Sequence, residues 1–322
     1  MRSAGRASWP ASSSRSPSAS SRPGRAATAA TSRAVPRWAS ARRPPPPPSS
    51  ASPSSWSRTR CSRSCSTSTA SDMAGHAITC EDLSVGHGGR AIMSGISFSL
   101  EAGRILAVVG PSGCGKSTLM RALSGLDDPV AGRSLLLGRD LAVASQDERE
   151  EALRRLGFLF QGSALFSSLT LRENVELPIR EFLSPPRREL RQLAEYKLSL
   201  VGLADAMDKL PSEISGGMAK RAALARALAL DPEVLFLDEP GAGLDPVTAA
   251  RMDELILRVR EAFGTTIVMV SHEVPSILRT ADFCVYLDTE TGRMGAYGPP
   301  RDFLSPGSHA RAHAFFTQTH RN

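Results

Sequence analysis

Short apolar runs alternate with stretches of helical periodicity along residues 78–300. The apolar runs predict strands at residues 78–83, 96–100, 104–109, 157–160, 233–237 and 265–270. Apolar residues at helical spacing predict helices at residues 116–126, 170–210 and 247–263, the second broken by two prolines at 185 and 186. This order predicts an α/β fold with a parallel-sheet core, N-terminal antiparallel strands and a helical subdomain.

Residues 1–72 differ sharply in composition from the rest of the chain. They hold twelve Arg, twenty-two Ser and ten Pro, but no Lys and a single acid, Asp72. A segment of this kind cannot bury an apolar core. Three interpretations stay open: sequence upstream of a true start at Met73, a transit peptide that would direct the protein to a chloroplast, or a disordered tail.

The net positive charge of the chain comes from this leader. The formal charge of +7 divides into +11 for residues 1–72 and −4 for residues 73–322, which argues against nucleic acid as the partner of the folded part.

Apolar stretches such as 105–109 and 267–270 are far shorter than the roughly 20 residues of a membrane-spanning helix. The isolated Cys80, Cys114 and Cys284 indicate a reducing compartment.

A glycine-rich loop follows the predicted strand at 104–109 and precedes a predicted helix. It matches the phosphate-binding pattern over Gly110, Pro111, Ser112, Gly113, Cys114, Gly115, Lys116, Ser117 and Thr118. Glycines let backbone N–H groups turn toward a phosphate, and the helix N-terminus adds positive potential. Lys116 would reach the β- and γ-phosphates of ATP, and Ser117 would ligate Mg²⁺.

The apolar run at 233–237 ends in two acids that complement this loop. A buried strand there would deliver Asp238 to the Mg²⁺ ion. Glu239, one residue further, would polarise a water molecule against the γ-phosphate as a catalytic base. Alone, an acidic turn after a strand is common, and the phosphate loop upstream is what favours the catalytic interpretation.

Between these two motifs, Ser215, Gly216 and Gly217 precede an Ala/Leu/Arg-rich helical stretch. Alone this is an ordinary helix cap, but glycines at a helix N-terminus also make an anion site. In this order the three motifs resemble those of ATP-binding cassette (ABC) ATPases, whose P-loop fold and ATP hydrolysis the resemblance implies. In that family the Ser-Gly-Gly signature serves the ATP bound to the opposite subunit of a dimer.

Three further positions match the family pattern, and a fourth, His87, departs from it. The resemblance assigns Gln161 to Mg²⁺ sensing and to contact with a transmembrane partner, Asp245 to the dimer interface, and His272 to the γ-phosphate. His87 stands where relatives often stack an aromatic ring on adenine. Two interpretations of His87 stay open, weak stacking on the base or a turn residue.

A closer resemblance covers nearly all of residues 78–300. The segments 159–166 and 211–221, including Met218 where many relatives carry Gln, are similar to the Mla-type lipid-transport ATPases, the Mce-associated group. This resemblance implies a homodimer of ATPase subunits that moves phospholipid with a permease, an MCE-domain lipid-binding protein and often a STAS-domain protein. Its implied location is the cytoplasmic face of a bacterial inner membrane.

The chain is thus interpreted as a leader at 1–72, an ABC ATPase domain at 73–305 and a tail at 306–322. In the tail, His309 and His313 are spaced as metal ligands could be, but a solvated helix is the simpler interpretation. Importers of amino acids or other polar solutes stay open as an alternative. Non-transport ABC ATPases fit less well, because they usually carry two cassettes or long coiled coils.

Overall fold

The computed structural model describes residues 75–305 and 309–318. The three interpretations of residues 1–72 fall outside these ranges. The strands are β1 (His76–His87), β2 (Arg90–Glu101), β3 (Ile105–Val109), β4 (Ala131–Leu136), β5 (Arg139–Asp140), β6 (Leu156–Leu159), β7 (Val234–Asp238), β8 (Thr266–Val270), β9 (Phe283–Asp288) and β10 (Arg293–Gly298). The helices are α1 (Lys116–Leu123), α2 (Gln146–Arg154), α3 (Leu171–Leu183), α4 (Arg187–Leu200), α5 (Gly216–Ala227), α6 (Pro246–Phe263), α7 (Val274–Thr280) and α8 (Ala310–Gln318).

The strands form one mixed sheet in the order β5-β4-β1-β2-β10-β9-β3-β8-β7-β6. Strands β9, β3, β8, β7 and β6 are parallel to one another, whereas β1 pairs antiparallel with both β2 and β4. The predicted parallel core and N-terminal antiparallel strands are therefore confirmed. Because parallel strands end at the same edge, the loops after β3, β6, β7 and β8 are neighbours.

The central strands are buried on both faces. Every residue of β3 and β8 is buried, which explains why these strands appear in the sequence as continuous apolar runs. Their side chains alternate between two cores: Ile105, Ala107 and Val109 lie in one, and Leu106 and Val108 in the other.

The helical subdomain consists of α3 and α4, which pack against each other and against α5. The two helices are separated at the prolines, as predicted, and α3 begins with a capping box in which Thr170 and Glu173 exchange hydrogen bonds. The buried side-chain amide of Asn174 donates to the carbonyls of Phe166, Leu169 and Thr170. The segment before α3 is therefore fixed to that helix.

The C-terminal helix α8 differs from the solvated helix that the sequence suggests. Ala312 and Phe316 are fully buried, and Arg311 donates to the buried carboxylate of Asp288 at 2.6 Å. His313 Nδ1 lies 3.0 Å from the carbonyl oxygen of Phe303, so its ring is engaged in packing. A single short tail shows too little periodicity for its buried face to be recognised.

A buried carboxylate joins α6 to α7. Asp253, 3% exposed, accepts hydrogen bonds from Ser276 Oγ and Arg279 Nη1, both at 2.6 Å. We predict that Asp253→Ala lowers the free energy of unfolding by about 2 kcal/mol, because the buried Ser276 hydroxyl and the Arg279 charge lose their acceptor. Urea unfolding measures this change. Glu254→Ala, at the exposed neighbouring position, should change stability by no more than about 0.5 kcal/mol; equal effects of the two variants would contradict the assignment.

Candidate functional site

The loop between β3 and α1 has a backbone that only glycine allows at key positions. Gly113 and Gly115 have φ angles of 78° and 89°, in the left-handed region. A Cβ on Gly110 would lie 2.6 Å from the carbonyl oxygen of Leu287 and 2.8 Å from Cys114 Sγ. The glycines therefore permit both the turn of the loop and its close approach to β9.

Two side chains of this loop have different roles: Cys114 packs beneath the loop, and Lys116 supplies a positive charge. Burial raises the pKa of the Cys114 thiol, which lies beneath the loop as a neutral packing group. Lys116 Nζ instead donates to the carbonyls of Gly110 and Pro111 at 2.9 and 2.8 Å. Its ammonium is therefore held at the loop, while Pro111 and Ser112 are exposed. This is the arrangement that a bound phosphate chain requires.

Ser117 and Asp238 are brought together from positions 121 residues apart. Ser117 Oγ donates to Asp238 Oδ2 at 3.4 Å, where the end of β7 meets the start of α1. The pKa of Asp238 is raised, first by burial and then by the charge of Glu239. Hydroxyl and carboxylate oxygens are ligands that Mg²⁺ prefers, and a cation would relieve the crowding of the two acids. These residues therefore fit a Mg²⁺ site.

Two predicted residues, Gln161 and His272, converge on the carboxylate of Glu239. Gln161 Nε2, after β6, donates to Glu239 Oε2 at 2.8 Å. His272 Nδ1, after β8, lies 3.3 Å from Glu239 Oε1. Both carboxylate oxygens are thus oriented by side chains from neighbouring strands. A carboxylate fixed in this way beside a phosphate and Mg²⁺ site can act as a base toward a water molecule.

The signature residues form the N-terminus of α5. Ser215 Oγ accepts the N–H of Met218 at 3.3 Å and so caps the helix. Gly216 is exposed, with open space where a Cβ would stand, whereas a Cβ on Gly217 would lie 2.7 Å from Thr248 Cγ2. Gly216 can therefore approach an external anion, and Gly217 permits the close contact between α5 and α6.

A cleft of about 380 Å³ separates α5 from the loops after β6 and β7. Gln161, Gly216, Lys220, Gly243 and Leu244 are among its lining residues. The cleft therefore lies between the loop that carries Gln161, the start of α5 and the loop that precedes α6.

Asp245 and His87 occupy defined positions at the edges of the site. Asp245 Oδ1 accepts the N–H groups of Val247 and Thr248 at 3.1 and 3.0 Å, which caps α6. Hydrogen bonds from the Thr248 side chain and then from these N–H groups lower the pKa of Asp245. His87 ends β1, and its Nε2 lies 3.4 Å from Thr118 Oγ1. His87 is therefore close to the phosphate loop, and both of its interpretations stay open.

Two residues of the site were not identified from the sequence. Lys220, 7% exposed on α5, donates to the carbonyl of Glu239 at 2.9 Å. Arg226, two turns later, donates to the carbonyls of Ser163 and Ala164 at 3.1 and 2.7 Å, which fixes the loop after Gln161. The signal for both was the burial of α5: a charged side chain on a helix with so many small apolar residues needs an internal partner.

Comparison with known proteins agrees with this geometry. The sequence profile of the ABC transporter family matches residues 93–242. The intermembrane phospholipid transport system ATP-binding protein MlaF of Haemophilus influenzae is 42% identical over 206 residues, which cover 64% of this chain and 78% of that protein. A probable ribonucleotide transport ATP-binding protein, mkl of Mycobacterium leprae, is 41% identical over 64% of this chain and 59% of its own length.

Solved structures show the same cassette fold. The ATP-binding cassette MJ0796, in a dimeric post-hydrolysis state bound to ADP and Pi, superimposes with a TM-score of 0.63 and 27% identity over 70% of this chain and 99% of its own. The cbiO1 subunit of the Clostridium perfringens cbiONQ transporter gives a TM-score of 0.66 and 26% identity over 74% of this chain and 94% of its own.

Among the helices that the structure describes, none combines the length and the apolar character needed to cross a membrane. The cassette fold, the phosphate loop and 42% identity across most of a transporter ATPase agree on one assignment. The chain belongs to the ATP-binding proteins of ABC transporters.

Proposed function

We propose that this chain hydrolyses ATP to energise phospholipid transport by a separate membrane permease. The observation that best supports ATP hydrolysis is the position of the Glu239 carboxylate. It is held by Gln161 and His272 beside the Ser117–Asp238 pair. The argument for phospholipid is the 42% identity to MlaF over 78% of that protein.

The phosphate loop binds the nucleotide mainly through its backbone. Its N–H groups and the N-terminus of α1 surround the phosphates, and Lys116 neutralises their charge. Ser117, Asp238 and Gln161 would hold Mg²⁺, which supplies positive charge against the phosphate oxygens. His87 contributes a ring near the loop on which adenine can stack.

Hydrolysis then depends on side chains that approach from the strand ends. Glu239 accepts a proton from water as the water oxygen attacks the γ-phosphorus, so that the bond to the β-phosphate oxygen breaks and ADP and phosphate form. His272, 56% exposed beside Glu239, is free to contact the γ-phosphate. Gln161 orients the base and links it to the loop that faces the permease.

Two copies of the chain complete two sites. In this arrangement Ser215, Gly216 and Gly217 of one chain approach the γ-phosphate on the other, and Asp245 lies in the interface loop. Closure on ATP and opening after hydrolysis would move the helical subdomain and so the permease. The wider assembly includes an MCE-domain lipid-binding protein and a STAS-domain protein, on the cytoplasmic face of a bacterial inner membrane.

The proposed base has a direct test in Glu239→Gln. We expect this variant to bind ATP with unchanged affinity and to lose ATP turnover by at least about a hundredfold, because the amide keeps the shape but cannot accept the proton. Lys116→Ala should instead weaken ATP binding, since it removes the charge at the loop. Binding is measured with a fluorescent ATP analogue, and turnover by phosphate release. Hydrolysis by Glu239→Gln at the parental rate would show that another group is the base.

The shared site is tested at Gly216 rather than at Gly217, whose substitution would clash with Thr248 in its own chain. Gly216→Asp places a charge where the partner's γ-phosphate must approach, and an acid in the first turn does not destabilise a helix. ATP binding should persist while ATP-dependent dimerisation and hydrolysis fall by at least about a hundredfold. Gly216→Ala is the uncharged control and should lose much less activity.

Linked pairs of chains show which subunit contributes the signature. With Gly216→Asp in one chain and Lys116→Ala in the other, one site carries both changes and one carries neither, so hydrolysis should return. With both changes in the same chain, each site carries one change and hydrolysis should be lost. Equal rates of phosphate release from the two linked pairs would contradict the head-to-tail arrangement.

The transported substrate is tested by isolating the protein with its partners from native membranes. We expect a permease and an MCE-domain protein to be recovered, with phospholipid enriched relative to a mock purification. Mass spectrometry identifies both the proteins and the lipids. Recovery of a periplasmic solute-binding protein without phospholipid would support the polar-solute alternative, a class that the mkl relatives also represent by name.

A further inference from the structure

Lys220 connects the signature helix to the backbone of the candidate base in the same chain. Its ammonium donates to the carbonyl oxygen of Glu239 at 2.9 Å, and the side chain is 7% exposed. The same carbonyl accepts the N–H of Ala242 at 3.2 Å. Lys220 therefore lies where α5, the end of β7 and the loop before α6 meet.

The backbone of Glu239 needs support of this kind. Its φ angle is 48°, in the left-handed region that disfavours side chains other than glycine. The N–H of Glu239 donates to the carbonyl of Val270 at 3.0 Å, which fixes one side of the residue. Lys220 and Ala242 fix the other side. Because the Cα–Cβ direction follows from the backbone, these bonds also set where the carboxylate points.

Packing alone does not require a lysine at position 220. Burial lowers the pKa of Lys220, an effect that the charges of Glu239 and Glu273 oppose. A methionine would fill a similar volume without the cost of burying an ammonium. The ammonium is therefore explained by the hydrogen bond that it donates, not by the space that it fills.

The same end of α5 is in contact with the start of α6. A Cβ on Gly217 would lie 2.7 Å from Thr248 Cγ2, and the N–H of Thr248 donates to Asp245 Oδ1 at 3.0 Å. Gly217 and Lys220 are three residues apart and so lie on the same side of the helix. The N-terminal part of α5 is thereby joined to the candidate base through Lys220 and to the candidate interface loop through Gly217.

We propose that Lys220 is a positioning residue for hydrolysis, holding the backbone of Glu239 in its own chain while α5 engages the ATP bound to the other chain. This inference rests on the proposed ATP-hydrolysing function. It assigns Lys220 no contact with nucleotide, and it predicts an effect on turnover rather than on ATP binding. When α5 engages the ATP bound to the partner chain, Lys220 transmits its displacement to Glu239. Glu239 acts on the ATP bound to its own chain.

The first test measures hydrolysis by the full chain with Lys220→Met, with Lys220→Arg, and with Lys209→Met as a matched control at an exposed lysine. We expect Lys220→Met to lower kcat about tenfold or more, because the base loses its alignment, with the KM and Kd for ATP within about twofold of the parent. Its Tm should change little, because loss of the hydrogen bond to Glu239 is offset by removal of a buried charge. Lys220→Arg should retain more turnover than the Met variant, and Lys209→Met should match the parent.

The second test separates Lys220 from the signature motif. In the Glu239→Gln background, Lys220→Met should still form the ATP-dependent dimer on size exclusion, whereas Gly216→Asp should not. Loss of that dimer in Lys220→Met would overturn the inference, because Lys220 would then act through the partner's ATP. Equal turnover by the Met variant and the parent, or equal loss in the Met and Arg variants, would also overturn it while the proposed function stands. If the parent neither binds nor hydrolyses ATP, both fail.

Discussion

The functional site depends on the register of the parallel strands. Leu159 stands opposite Leu237, Asp238 opposite Val270, and Val270 opposite Val108, so the carboxyl ends of four strands are aligned. A slip of one residue would turn every side chain of these strands to the other face. Since β3 and β8 are buried on both faces, such a slip would disrupt the packing of both cores. The packing of the sheet thereby fixes the distances between the loops that carry the chemistry.

The two halves of the site use different chemistry. The phosphate side relies on glycine backbone, N–H groups and one ammonium, which need little beyond the loop and the helix that follows. The hydrolytic side relies on Glu239, whose left-handed backbone costs on the order of 1–3 kcal/mol. That cost is offset by hydrogen bonds from Lys220 and Ala242 and by the bond to Val270. The proposed base is therefore the part of the site that depends most on tertiary structure.

This difference explains what could be predicted from the sequence. Continuous apolar runs indicated β3, β7 and β8, and the family resemblance assigned Gln161, Glu239 and His272 to one ATP site. Strands β4 and β10 were not predicted, because their residues are half exposed and interrupted by glycine and charge. Helix α2 was missed because only Ala152 among its nine residues is buried. Lys220 was missed because its partner is a backbone carbonyl: the small apolar residues of α5 indicate that an internal partner is needed, but not which one.

Helix α5 joins parts of the site that the sequence separates widely. Its N-terminus carries Gly216, Lys220 reaches Glu239, and Arg226 holds the carbonyls of Ser163 and Ala164 after Gln161. Most of its residues are buried among small side chains, so the helix is a close-packed element. Displacement of α5 must therefore act together on the signature, the base and the Gln161 loop. In the closed dimer that we propose, this constraint would couple engagement of ATP by the signature to movement of the Gln161 loop.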